Sequence, residues 1–228
     1  MNATPHTDRE YDQQLTRLRE EILLMGARVE EMIALSIRGL IDRNPALARE
    51  VIASDRDVDR QEVEIDRRCL NILATRQPVA SDLRLTTTIL KMVREIERIG
   101  DLAVNIAERS VELNEEPPLK PYVDLPKMAE MARGMVRDSL DALVAGDAFK
   151  AREVLSRDPT VDAYYAQIFR ELLTYMMEDP RTISRATRVQ SVAKHLERIA
   201  DHATNLAEMV IFNVEGEDVR HSRGNPAP

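Results

Sequence analysis

Glu97-Arg98-Ile99-Gly100-Asp101-Leu102-Ala103-Val104-Asn105-Ile106-Ala107-Glu108 returns later in the chain as Glu197-Arg198-Ile199-Ala200-Asp201-His202-Ala203-Thr204-Asn205-Leu206-Ala207-Glu208. Eight of the twelve positions are identical, at an offset of 100 residues. A second echo, Ala48-Arg49-Glu50-Val51 against Ala151-Arg152-Glu153-Val154, has an offset of 103. Shared helix-forming composition produces scattered matches, not a run of this length, so the chain reads as two homologous units.

The sequence around these segments is helical in its spacing. Leu15, Leu18, Ile22, Met25, Val29, Met32, Ser36 and Leu40 step by three and four, which is one buried helix face, and Asn44-Pro45 ends it. Val51, Val58, Ile65 and Ile72 recur in a second helix that stops near Arg76, before Gln77-Pro78. Ser81-Asp82 reads as the N-cap region of a third helix reaching about Val111. Pro117, Pro118, Pro121 and Pro126 mark the best boundary in the chain. Three more helical patterns follow, from about Leu125 to Ala145, Ala148 to Met177 and Thr182 to Val214. The expectation is an all-α fold of two tandem homologous three-helix bundles, six long antiparallel helices in all. The first bundle would occupy residues 8–113 and the second 124–215, with a Pro-rich linker at 114–123 and a frayed tail at 216–228.

Composition agrees. With 7 Gly and 11 Pro in 228 residues, no Trp and 4% aromatics, the chain lacks the turn residues and strand formers of a β-sandwich or barrel. A net charge of −8 argues against general nucleic-acid binding, which neutralises phosphates with Lys and Arg. The single cysteine, Cys69, can form neither an internal disulfide nor a paired-cysteine zinc site, and is expected as a buried small hydrophobe. Met1 to Tyr11 has no apolar signal-peptide core, and no apolar run approaches the ~18 residues of a membrane span. A soluble, cytoplasmic protein is expected.

At ~100° per residue, Glu97, Asp101, Asn105 and Glu108 share an arc of about 80°, opposite Ile96, Ile99, Ala103 and Ile106. Glu197, Asp201, Asn205 and Glu208 repeat the pattern. The acidic stripes therefore belong on the surface, or in a groove between the two units. Like charges four residues apart cost a few tenths of a kcal/mol on a helix, and Arg98 and Arg198 offset this only in part. A bound cation would remove the cost. Oxygen-only donors suit Mg²⁺, Mn²⁺, Ca²⁺ or iron. One helix supplies too few oxygens, so Asp55, Asp59, Glu62 and Asp66 of the second helix, with Asp158 and Asp162 of the other unit, are the candidate partners. Asp82 and Asp179 read as helix caps, and Arg84, Arg181 and Arg185 as possible anion or carboxylate binders. His195 and His202 share a helix face without the Glu-x-x-His spacing of di-iron bundles, and are expected in surface or packing roles. No catalytic residue is assigned: Gly-rich phosphate loops, Gly-x-Ser-x-Gly and His-Glu-x-x-His are missing.

The duplicated Glu-Arg-Ile-[Gly/Ala]-Asp segments resemble the PhoU family, accessory regulators of bacterial phosphate uptake. Arg76-Gln77-Pro78-Val79-Ala80-Ser81-Asp82-Leu83-Arg84 and Tyr175-Met176-Met177-Glu178-Asp179-Pro180 match as well, so the resemblance covers roughly residues 10 to 215. It implies two three-helix bundles, often dimeric, and metal binding through Glu97 with Asp101 and Glu197 with Asp201. The metal is left open among Mg, Mn, Fe and Zn. It also implies a non-enzymatic negative regulator linking the ATPase subunit of the phosphate ABC transporter to a phosphate-sensing histidine kinase, near the membrane only through those partners. The one departure within the motif core is Ala200 where the first copy has Gly100. The rival expectations are a metal-dependent hydrolase using the carboxylates to hold its cation, and a metal-free helical scaffold.

Overall fold

A computed structural model describes residues 9–219. Among these are six α-helices and no strand: α1 (Arg9–Ile41), α2 (Pro45–Arg76), α3 (Ala80–Asn114), α4 (Asp124–Ala145), α5 (Ala148–Glu178) and α6 (Ile183–Glu215). A single 3-10 turn, Pro180–Thr182, leads into α6. No described helix is long and apolar enough to cross a membrane.

The helix ends follow from local chemistry. Asn44 precedes α2 and its side chain accepts the Ala46 amide at 3.1 Å, with Pro45 placed where no amide hydrogen is missed. Asp147 does the same for α5, accepting the Lys150 amide at 3.0 Å. The residues just before these caps, Arg43 at φ 52° and Gly146 at φ 63°, both take the left-handed conformation that turns the chain. Asp179 caps as expected, accepting the Arg181 amide. Asp82 does not. Val79 occupies the cap of α3 without a side-chain bond, and Asp82 instead accepts the Tyr11 hydroxyl at 3.1 Å across the bundle.

The duplication runs through the packing. Val51, Val58 and Ile65 of α2 and Val154, Val161 and Ile168 of α5 are all buried at the 103-residue offset. Ser36 and Ser139 are also equivalent and fully buried, each bonding a carbonyl of its own helix. Yet the units do not stand apart. Besides packing within its own bundle, α1 meets α4 and α3 meets α6. The four helices α1, α3, α6 and α4 thus close a central bundle, with α2 and α5 on its flanks and one continuous apolar core.

Both inter-unit pairs run antiparallel. Early α3 meets late α6, where Arg84 reaches the Asn213 carbonyl at 3.3 Å, and Arg188 of early α6 meets Glu112 of late α3 at 3.3 Å. In α1, Glu30 pairs with Arg137 of α4 at 2.8 Å, and Gly26 faces Leu140 so closely that a Cβ would lie 2.0 Å from its Cδ1. Only glycine permits that approach.

Residues 115–123, between the bundles, are pinned down. Leu119 and Tyr122 pack against the core, and Lys120 is buried in an ion pair with Glu171. Of the tail expected to fray, residues 216–219 carry no helix, but Val219 packs against the core; residues 220–228 lie outside the described residues.

Candidate functional site

The carboxylates foreseen on α3 stand in an outer groove between α2 and α3, within one unit rather than between units. Ile96, Ile99, Ala103 and Ile106 take the opposite side of α3 into the core, which leaves Glu97 half-buried and Asp101 exposed. Across the groove α2 presents Asp55, Asp59, Glu62 and Asp66, with Val58 and Ile65 turned inward. These acids raise one another. Partial burial, then Asp101, Glu62 and Asp59, push the Glu97 carboxyl up to about 7. Burial and Asp59 raise Asp101; burial, Asp59 and Asp101 raise Asp55; burial and then Asp66 raise Glu62. Arg98 offsets the stripe only in part, as expected: its charge lowers Glu97 slightly while it pairs with Glu95 at 2.9 Å.

The groove fits a hard cation in its donor chemistry. Its donors are carboxylate oxygens from two helices, and Oδ1 of Asp66 is buried without a hydrogen-bond partner. Among the described residues no three His, Cys, Asp or Glu side chains are already gathered as metal ligands. Coordination there would draw the side chains together and recruit water or a bridging anion.

The second groove, between α5 and α6, holds Glu197, Asp201, Asp158 and Asp162. Burial, then Glu197 and Asp158, raise the Asp201 carboxyl, and Lys194 acts against them. Lys194 pairs with Glu197 at 2.5 Å and lies 5.4 Å from the centroid of the Tyr165 ring. α3 and α6 pack side by side, α2 lies against α3 and α5 against α6, so each groove belongs to one helix of that pair.

Two members of the expected stripes lie elsewhere. Glu208 is buried at 8% exposure, because late α6 packs on early α3. Asn205 donates to Glu95 at 2.9 Å instead of joining the acids. Glu95 itself was missed. It is buried where α3 meets α6, and His202 bonds it at 2.8 Å, so His202 ties the units together. Burial works to raise the Glu95 carboxyl, but the bonds from His202 and Asn205 hold it below its usual range. The sequence carried a signal: Glu95 falls on the apolar arc of α3, beside Leu102 and Ile106, where an unpaired charge would be costly. His195 contacts Ser191 at 3.3 Å, and its Nδ1 is buried without a partner.

Cys69 is buried, and burial pushes its thiol up to about 12. The arginines considered for anions are engaged internally. Arg84 donates to the Asn213 carbonyl, Arg185 to that of Pro117 and Arg181 to the Asp179 carboxylate.

Comparison with known proteins bears on the duplicated units. The PhoU domain family matches twice, at residues 22–110 and 125–210. A phosphate-specific transport system accessory protein PhoU homolog of Pseudomonas putida is 44% identical over 96% of this chain and 86% of its own length. One from Aquifex aeolicus is 46% identical over 91% of this chain and 94% of its own. The crystal structure of PhoU from Pseudomonas aeruginosa superposes with a TM-score of 0.87 at 42% identity, covering 91% of this chain and 100% of that one. That of the phosphate transport system regulatory protein PhoU from Streptococcus pneumoniae gives 0.84 at 27% identity, over 92% and 99%.

Proposed function

The chain belongs to the PhoU family, and on that premise we propose that it is a cytoplasmic, non-enzymatic regulator of phosphate uptake. In this reading it contacts the ATPase subunit of the phosphate ABC transporter and a phosphate-sensing histidine kinase, and restrains the kinase when phosphate is plentiful. The observation that carries the reading is the match across both repeats to relatives named as phosphate-transport accessory proteins. The shape of the molecule supports it. Its acidic residues lie along open helix grooves, as suits a protein that presents surfaces to partners, whereas a hydrolase encloses its reacting atoms with a general base.

The finer reading places a metal cation in the acidic grooves, with Glu97 and Asp101 as donors in one and Glu197 and Asp201 in the other. The cation would neutralise carboxylates that now raise one another. Regulation would act by mass action: a transporter conformation that binds the chain more tightly changes how much remains for the kinase. Deleting the gene should switch on phosphate-scavenging genes in rich phosphate, and a plasmid copy should switch them off. Unchanged expression after deletion refutes the regulatory reading. Capture of transporter ATPase and kinase by the tagged chain, with and without chelator, tests the partners and the part the metal plays.

A further inference from the structure

The repeat registers align the two grooves residue by residue. At the 103-residue offset Asp55 corresponds to Asp158, Asp59 to Asp162, Glu62 to Tyr165 and Asp66 to Phe169. At the 100-residue offset Glu97 corresponds to Glu197, Asp101 to Asp201 and Arg94 to Lys194. The second groove has therefore exchanged two carboxylates for aromatic rings, and one of those rings lies beside the Lys194 ammonium.

The surrounding contacts sharpen the difference. In the second groove the Lys194 ammonium is held by Glu197 at 2.5 Å. In the first, among the described residues, Glu97 has no ion pair: Arg98 is turned to Glu95, and Arg94 makes no ion pair. One groove has an ammonium ion-paired to its repeated glutamate, whereas the equivalent glutamate of the other has no ion pair and feels Arg98 only by its charge, as Glu62 feels Arg94. The buried, unpartnered Oδ1 of Asp66 adds a donor that the second groove lacks.

We propose that the two grooves are unequal: the α2–α3 groove is the metal site of higher affinity, and Lys194 acts as a tethered competitor that a metal must displace from the α5–α6 groove. The inference rests on the reading that these grooves hold a cation. Lys194 enforces the difference twice. It neutralises Glu197, and its positive charge repels an arriving divalent ion at close range. Glu62 and Asp66 give the first groove two further oxygen donors for a hard cation.

The test is Mn²⁺ titration of the full-length, chelator-stripped protein, with unbound Mn²⁺ followed by electron paramagnetic resonance. Asp101→Asn should abolish the tight class of sites. Asp201→Asn should leave that class within about twofold of wild type. Lys194→Met, which keeps most of the side-chain stem, should tighten the weak class at least tenfold, and adding Asp201→Asn should remove the gain. Tyr165→Glu restores the missing carboxylate and should tighten the same class. Equal losses from Asp101→Asn and Asp201→Asn would overturn the inequality, as would a titration curve unmoved by Lys194→Met in a variant that circular dichroism shows to be folded. If Lys194→Met does not fold, the Asp101→Asn and Asp201→Asn pair still decides. Absence of Mn²⁺ binding in wild type and every variant would overturn the metal reading together with this one.

Discussion

Replacing Glu97 by Gln should stabilise the metal-free protein at pH 8 and do almost nothing at pH 5. Glu97 titrates near 7 in the folded chain, raised first by burial and then by Asp101, Glu62 and Asp59. In the unfolded chain these neighbours disperse and the carboxyl returns to 4.5. Between those values the folded state binds more protons, so this residue's contribution to stability falls as pH rises from about 4.5 to about 7 and stays low above. At ~1.4 kcal/mol per pH unit the full effect would be ~3 kcal/mol in a dry site. Glu97 is only half-buried, and solvent screening reduces the expected gain to ~1 kcal/mol. For a chain of this length that is ~2–4 °C in melting temperature. The assay is thermal melting by circular dichroism at pH 5 and pH 8 in chelator, wild type against Glu97→Gln. A variant that melts at or below wild type at pH 8 would refute the electrostatic reasoning. So would an equal gain at both pH values, which would indicate packing or helix propensity.

Two buried glycines, Gly26 and Gly100, should respond in opposite directions. Gly26→Ala places a Cβ 2.0 Å from the buried Leu140 Cδ1, and an overpacking cost of ~1–3 kcal/mol outweighs the ~1 kcal/mol helix gain, lowering the melting temperature. Gly100→Ala meets Val58 Cγ1 at 3.4 Å, Val29 Cγ2 at 3.7 Å and Met32 Cε at 3.9 Å, all ordinary van der Waals contacts, and should raise the melting temperature by a few degrees, as Ala200 already occupies the equivalent place. Glu95→Ala should destabilise by ~1–3 kcal/mol in denaturant melts, because it strips His202 and Asn205 of their shared acceptor; an unchanged midpoint would show that this contact does not hold the units together. Cys69 should resist a thiol reagent at pH 8 until denaturant is added, and rapid labelling of the native protein would contradict its burial.

The apolar periodicity made all six helices legible, because each keeps one face in the core. The caps at Asn44 and Asp147 are local in the same sense, being set by a residue and the amides just beyond it. Asp82 read as a cap for that local reason, but the distant Tyr11 claims its oxygen. Every other departure is of this long-range kind. Whether Glu208 faces water depends on where late α6 crosses α3. Lys120 sits in a proline-rich stretch that looks like a loose connection, and its burial depends on Glu171 of α5. The fusion of two bundles into one core could not be read from either unit alone. It requires an apolar arc on α3 wide enough for α1 and α6 together, and Glu95 within that arc was the visible hint. The metal candidates were legible as a stripe on one helix, but their inequality required knowing which α2 and α5 residues stand across each groove.

The position of the stripes bears on why both copies carry them. Packing explains the repetition of Ile99 and Ile199, or Ala103 and Ala203, since these fill the shared core. It does not explain Glu97 with Asp101 and Glu197 with Asp201, which lie on the other side of their helices. In the α2–α3 groove the metal-free carboxylates weaken the fold, because each raises its neighbours. A solvated surface face would avoid that cost with a mixture of charges, as Arg109 of α3 and Arg188 of α6 do with Glu112 of α3. The α5–α6 groove has taken that course in part, by setting Lys194 against Glu197. A duplicated fold permits such divergence: the inner faces are bound to one another through the common core, while each outer groove answers only to its own pair of helices and to whatever it binds.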